Sequence, residues 1–213
     1  MDNLMTKLSN DLNCDKSTYH QYTEIYPIFL DKFKDENISL LEIGFNEGKS
    51  YKLWESYFNV AKIYAMDIDH SGITERGEIF KGDQSNLNDL IKVSSNINNC
   101  KIIIDDGSHV AEHQLKSFHY LFENLLKDNG VYIIEDIECS YWSPDAMLYG
   151  YTTGYLNIVD YFSKLNHSVN NHYNLQPNPL NIKMITFAPN CIIIQKGNKI
   201  DKIRKEYQFS SRL

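Results

Sequence analysis

Two apolar runs in this chain end in the same abrupt way. Residues 101–104 (Lys-Ile-Ile-Ile) are closed by Asp105-Asp106, and residues 131–134 (Val-Tyr-Ile-Ile) by Glu135-Asp136. Short apolar runs bounded by turn residues suit buried parallel strands. Parallel strands need a crossover between them, usually a helix. Residues 112–126 have that pattern, with Leu115, Phe118, Phe122 and Leu125 on one helical face. The chain is thereby committed to two parallel strands whose carboxyl ends each carry two acids. Open α/β sheets bind their ligands at those ends. His109 stands three residues after Asp106. Four carboxylates and an imidazole gathered there repel one another unless a cation joins them, and a hard divalent metal is the natural candidate.

The rest of the chain repeats the alternation. Strand patterns fall at 38–43, 61–66 and 78–81, and helix patterns at 22–33, 49–58, 86–93 and 156–165. Pro27 fits the first of these helices only in an opening turn or at a bend. A closing hairpin, 182–187 and 191–195, turns through Ala188-Pro189-Asn190. The prediction is an α/β fold: a seven-stranded, mostly parallel sheet, helices on both faces, and an antiparallel C-terminal hairpin strand. A length of 213 residues suits one domain. Residues 1–16 read as an N-terminal segment that is loosely ordered apart from one amphipathic turn, and 17–213 as the domain. Within it, 138–181 is a Tyr- and Asn-rich insertion on the substrate side.

Composition narrows the function classes. The net charge is −7 and the basic residues form no stripe, which argues against nucleic acid as the partner. Cys14, Cys100, Cys139 and Cys191 are scattered, as expected of small buried hydrophobes rather than of a disulfide framework or zinc site. No apolar run has the length of a membrane span and the first residues lack a signal-peptide pattern, so a cytoplasmic protein without a membrane partner is expected. A homo-oligomer stays open.

After the first strand comes Glu42-x-Gly44-x-x-x-Gly48. Glycines in such a turn let backbone approach a ligand closely, and Asn46 takes a place where a third glycine is common. Asp67 ends the second strand, 23 residues after Gly44. An acid at that distance can receive both hydroxyls of a ribose; the plainer alternative is a surface or capping acid. Asp83 can accept the amino group of adenine or cap the following helix. NAD and S-adenosylmethionine both fit this loop. Glu42 repels a pyrophosphate but suits the ammonium of a methionine moiety, which favours S-adenosylmethionine.

The turn Asp105-Asp106-Gly107-Ser108-His109, the pair Glu135-Asp136 followed by Tyr141-Trp142, and Asp15-Lys16 with His20-x-Tyr22 resemble the metal-dependent sugar O-methyltransferases, such as those that tailor macrolide antibiotics. The resemblance spans roughly residues 13–196. It implies the class I methyltransferase (Rossmann-like) fold and an S-adenosylmethionine- and magnesium-dependent enzyme that methylates a sugar hydroxyl. By that resemblance Asp106, Glu135 and Asp136 are magnesium ligands and His109 is the general base. Asp67 holds the ribose, Asp83 with Gln84 the adenine end, and Gly44 the methionine end. Asp105 lies beside the cofactor, and His20 and Tyr22 close over it. The chain departs from the macrolide enzymes in lacking their large N-terminal extension and in having Cys14 where threonine is expected. Methylation of a catechol or other vicinal diol explains the same metal. An NAD-dependent oxidoreductase explains the same glycine turn and Asp67.

Overall fold

The computed structural model of the chain describes residues 2–169 and 180–198. Residues 170–179 of the expected 138–181 insertion lie outside the described residues. The main sheet is built from β1 (Ser39–Ile43), β2 (Lys62–Asp67), β3 (Gly72–Ile73), β4 (Glu78–Lys81), β5 (Cys100–Asp105), β6 (Val131–Glu135), β9 (Ile182–Ala188) and β10 (Cys191–Lys196), in the order β3-β4-β2-β1-β5-β6-β10-β9. A separate two-stranded hairpin pairs β7 (Met147–Leu148) with β8 (Tyr151–Thr152). Strands β4, β2, β1, β5 and β6 run parallel, and β10 joins β6 antiparallel. The strand beyond the seven expected is β3, an antiparallel edge piece on β4. At two residues it is too short to show an alternating pattern.

Period-two alternation divides the strands between two cores. On one face, Leu41, Ile43, Ile103, Tyr132 and Ile134 pack under α5 (Leu87–Ser95), α6 (Ala111–Asn124) and α7 (Ile158–Val169). On the other, Leu40, Ile102, Ile104, Val131 and Ile133 pack under α3 (Tyr26–Leu30), α4 (Lys49–Tyr57) and the chain start. The helix expected over 22–33 is broken into 3-10 turns on either side of α3, and Pro27 sits in the first turn of α3. There its missing N–H costs nothing.

The chain start is more ordered than its composition suggested. Residues 4–16 form α1 (Leu4–Asp11) and the opening of α2 (Asp15–Thr18), with Met5, Ser9, Cys14 and Lys16 buried. Asn3 caps α1 by accepting from Thr6 N at 2.9 Å. One apolar side chain per turn and a good cap suffice once α4 supplies the opposing surface. All four cysteines are free and buried. Among the described residues no helix is long and apolar enough to cross a membrane.

Candidate functional site

The carboxyl ends of β1, β5 and β6 lie side by side, and alternation decides where each acid of a pair goes. Asp105 stands opposite Ile134 in the β5–β6 register, so Asp105 and Glu135 fall on opposite faces of the sheet. Asp105 turns toward α6 and is fully enclosed. It accepts from Gln84 Nε2 at 2.7 Å, Ser117 Oγ at 2.7 Å and Tyr132 Oη at 3.2 Å. Burial raises its pKa, and these three donors oppose the rise. Gln84 also uses its other end within the protein, accepting from Ser108 N at 2.8 Å. The pair therefore buttresses the loop after β5 from below.

The next residues in chain order, Asp106 and Asp136, open into the mouth with His109. Ligand atoms of Asp106, His109 and Asp136 lie within 4.8 Å of one another, and all three side chains are partly accessible or just enclosed. His109 Nε2 is 3.5 Å from Asp136 Oδ2, while its Nδ1 is buried with no hydrogen-bond partner among the described residues. Both His109 (φ 56°) and Asp136 (φ 53°) are held in the left-handed region. Such backbone is uncommon for residues other than glycine and persists where the surroundings over-determine it. Tyr22 Oη donates to Asp136 Oδ1 at 2.7 Å, and Asn190 Nδ2 donates to the same oxygen at 2.9 Å. The His20 ring stacks on Tyr22, with centroids 4.9 Å apart, and its Nδ1 is 3.5 Å from Asp136 Oδ1. Tyr22 is thus fully buried, with its hydroxyl on an acid of the mouth.

Glu135 lies outside that grouping. Its Oε1 accepts from Tyr26 Oη at 2.6 Å and its Oε2 from Lys16 Nζ at 2.6 Å. Glu42 is likewise enclosed, accepting from Ser50 Oγ at 2.8 Å. Burial pushes its pKa up to about 7, Lys16 opposing the rise and Asp106 adding to it. Lys16 stands among all three acids, 2.7 Å from Asp106, 2.6 Å from Glu135 and 3.5 Å from Glu42. Burial works against its charge, but the three carboxylates outweigh that and hold its pKa well above the ordinary lysine value. Sequence reasoning identified the need for a cation among these acids and assigned it wholly to a metal; the chain brings one of its own.

Beside this mouth lies the glycine loop. Gly44 (φ +96°) passes so close to the β5 loop that a Cβ would meet the Asp106 carbonyl oxygen at 2.2 Å. Asn46 (φ 46°) adopts the left-handed conformation expected of it in place of a glycine, and Gly48 (φ 72°) caps α4. Asp67 ties this loop down. Its Oδ2 accepts from Phe45 N at 2.9 Å and Asn46 N at 3.3 Å, and its Oδ1 from Asp69 N and His70 N, each at 2.9 Å. Partial burial raises its pKa, but the Phe45 and Asp69 N–H groups and the His70 ring hold it down at about 2. Asp83 accepts from Ser85 N at 2.7 Å and Tyr151 Oη at 3.0 Å. The cap of α5 is Asn86, not Asp83.

No protein-family model matches the chain. It is similar to the 8-demethyl-8-alpha-L-rhamnosyl tetracenomycin-C 2'-O-methyltransferase of Streptomyces olivaceus, at 30% identity over 196 residues, 85% of this chain and 52% of that protein. It is similar also to the demethylmacrocin O-methyltransferase of Streptomyces fradiae, at 33% identity over 132 residues, 58% of this chain and 33% of that protein. Among solved structures it superimposes on the MycE methyltransferase of the mycinamycin biosynthetic pathway, in complex with Mg, SAH and mycinamycin VI. The TM-score is 0.80 at 24% identity, over 92% of this chain and 54% of that one. The fold is that of the class I methyltransferases. The chain spans about half the length of the tetracenomycin relative and of MycE.

Proposed function

We propose that this chain is an S-adenosylmethionine-dependent, magnesium-dependent O-methyltransferase acting on a sugar hydroxyl. The observation that carries the reading is the convergence of Asp106, Asp136 and His109 at the strand ends, next to a glycine loop pressed against the Asp106 peptide. The two relatives are named as O-methyltransferases, one of them of the 2' position of a rhamnosyl tetracenomycin, and MycE was solved with magnesium and S-adenosylhomocysteine.

The residues present fit a hard cation. They offer carboxylate oxygens, which such ions prefer, and a divalent ion relieves the crowding of acids that Lys16 only partly offsets. Asp106 and Asp136 would hold it. Glu135, a third ligand by family resemblance, also accepts from Tyr26 and Lys16, and each of its oxygens keeps a lone pair for the ion. When bound, magnesium supplies Lewis acidity and a template for vicinal hydroxyls, and S-adenosylmethionine supplies the methyl group.

A sugar alcohol is a poor nucleophile until it loses its proton. His109, the imidazole of the mouth, takes that proton as general base. Asp136, 3.5 Å from the ring, offsets the positive charge that the imidazole gains. Tyr22 and Asn190 fix Asp136 in turn. The glycine loop, held by Asp67, lines the cofactor side and keeps donor and acceptor aligned.

On the acceptor side stand exposed aromatics: Tyr141, Trp142, Tyr149 and Tyr155. Tyr149 is at the tip of the β7–β8 hairpin, with φ 47° and its ring centroid 5.9 Å from that of His109. A sugar ring stacked on Tyr149 lies within reach of the base. Calorimetry against S-adenosylmethionine and NAD, followed by transfer of labelled methyl to a rhamnosyl glycoside with and without chelator, tests the reading. Binding of NAD alone, or transfer indifferent to the chelator, refutes it.

A further inference from the structure

We infer that Tyr151 is a positioning residue for the acceptor: its hydroxyl latches the β7–β8 hairpin to the loop after β4, and the hairpin so held carries Tyr149 to the base. The inference rests on the function proposed above and names the residue that fixes its acceptor side. β7 and β8 have two residues each and form a sheet of their own. A hairpin that small has little stability by itself in water, so tertiary contacts must set its place. Its base is closed by Thr153 N on Ala146 O at 2.9 Å and by Thr153 Oγ1 on Ser143 O at 2.6 Å. Nearer the tip, Tyr151 Oη donates to Asp83 Oδ2 at 3.0 Å. The Tyr151 ring also meets the His113 ring edge-on, with centroids 4.7 Å apart.

The tip is built at a cost. Tyr149 (φ 47°) and Gly150 (φ 87°) both have positive φ, as two-residue hairpin turns require, but the first of those places normally takes Asn, Asp or Gly. Left-handed backbone is uncommon for a bulky residue and collects at functional positions. The Tyr149 ring is 74% exposed, so burial does not explain it, yet it stands 5.9 Å from the His109 ring.

The anchor is firm. Asp83 Oδ1 accepts from Ser85 N at 2.7 Å, and Asp83 N donates to Asp89 Oδ2 at 3.0 Å. His113 Nδ1 is 3.0 Å from Ser108 Oγ, one residue before His109. The hairpin therefore bears on the 108–109 turn twice, through Tyr151 on His113 and through Tyr149 on His109. Two rings either side of one glycine set the acceptor wall against the base.

A simpler role would have Tyr151 only satisfy Asp83, for folding or for the cofactor. The roles separate in a double-mutant cycle on the full chain: wild type, Tyr151→Phe, Tyr149→Ala and Tyr149→Ala/Tyr151→Phe. Each is read by hydrogen exchange across 146–153, by calorimetric affinity for S-adenosylhomocysteine, and by KM and kcat for methyl transfer to a rhamnosyl glycoside. Tyr151→Phe keeps the ring on His113 and loses a bond to a charged acceptor, so exchange across 146–153 should quicken by about tenfold. The KM for the glycoside should rise about fivefold, with kcat changing less and S-adenosylhomocysteine affinity staying within about threefold. Because Tyr151 acts through Tyr149, adding Tyr151→Phe to Tyr149→Ala should raise KM by less than about twofold more.

Unchanged exchange, unchanged acceptor KM, or full additivity of the two substitutions overturns the inference. A loss of S-adenosylhomocysteine affinity larger than the rise in KM makes Tyr151 a cofactor contact and overturns it too. A wild type that transfers no methyl group fails the proposed function, and the inference falls with it before any variant is compared.

Discussion

Substituting Gly44 by alanine should damage a metal site that Gly44 never touches. The added Cβ would lie 2.2 Å from the Asp106 carbonyl oxygen, about 1.2 Å short of the 3.4 Å at which ordinary contact begins. Both sides are backbone. Gly44 N is bonded to Met66 O at 2.8 Å, and Asp106 N to Ile43 O at 2.9 Å, so neither loop can yield without losing a strand-end bond. Holding a non-glycine residue in left-handed backbone costs roughly 1–2 kcal/mol, and forcing packed backbone apart adds about 1–3 kcal/mol. The sum is a sizeable part of a total stability on the order of 5–15 kcal/mol. For a chain of this size each kcal/mol lowers the melting temperature by about 2–4 °C, so a fall of about 10 °C is expected. Asp106 moves with its peptide, and magnesium affinity should drop by at least about tenfold. Gly48→Ala is the control. The atoms nearest its Cβ would be those of the Phe45 ring, so it should lower melting without touching magnesium binding. A Gly44→Ala protein that melts within about 2 °C of wild type and binds magnesium normally would refute the reasoning.

His109→Ala should leave magnesium and S-adenosylmethionine affinities near wild type while turnover falls by about 10²–10⁴-fold; loss of magnesium binding would make the imidazole a ligand rather than the base. Tyr26→Phe removes a 2.6 Å donor from buried Glu135 and should cost about 1.5–3 kcal/mol in urea unfolding, and a loss under about 0.5 kcal/mol would show that Glu135 does not depend on it. Asp67, held at about 2 against roughly 3.9 when unfolded, contributes stability that is complete above about pH 4 and lost as pH falls through its folded value. The gap in melting temperature between wild type and Asp67→Asn should therefore close on acidification from pH 5 to pH 2, and a gap constant across that range would contradict the assignment.

Much of this was legible because it is local. Short apolar runs bounded by turn residues placed five parallel strands and the closing hairpin, and Asn46 was recognised as a stand-in for glycine by its tolerance of left-handed backbone. The adjacency of two acidic strand ends also followed from the pattern, since sequential βαβ strands neighbour one another. What escaped was long-range and charged. Lys16 and Glu135 are 119 positions apart, and a lysine in a polar stretch gives no sign that it will be buried. Gln84 and Asp105 read as ligand contacts, and nothing in the sequence signalled that they also bond each other inside the protein, with Ser117 of α6 and Tyr132 of the sheet beneath them. The break of the 22–33 helix was legible at Pro27, which sits in an opening turn as its ring requires.

The account depends most on one ion between two strand tips. Crystals grown with S-adenosylhomocysteine and manganese, measured at the manganese absorption edge, would locate it directly by anomalous scattering. A single peak coordinated by Asp106 and Asp136, with the His109 ring beside it and unligated, is the predicted result. A peak coordinated elsewhere, or none at these carboxylates with the cofactor product bound, would contradict it.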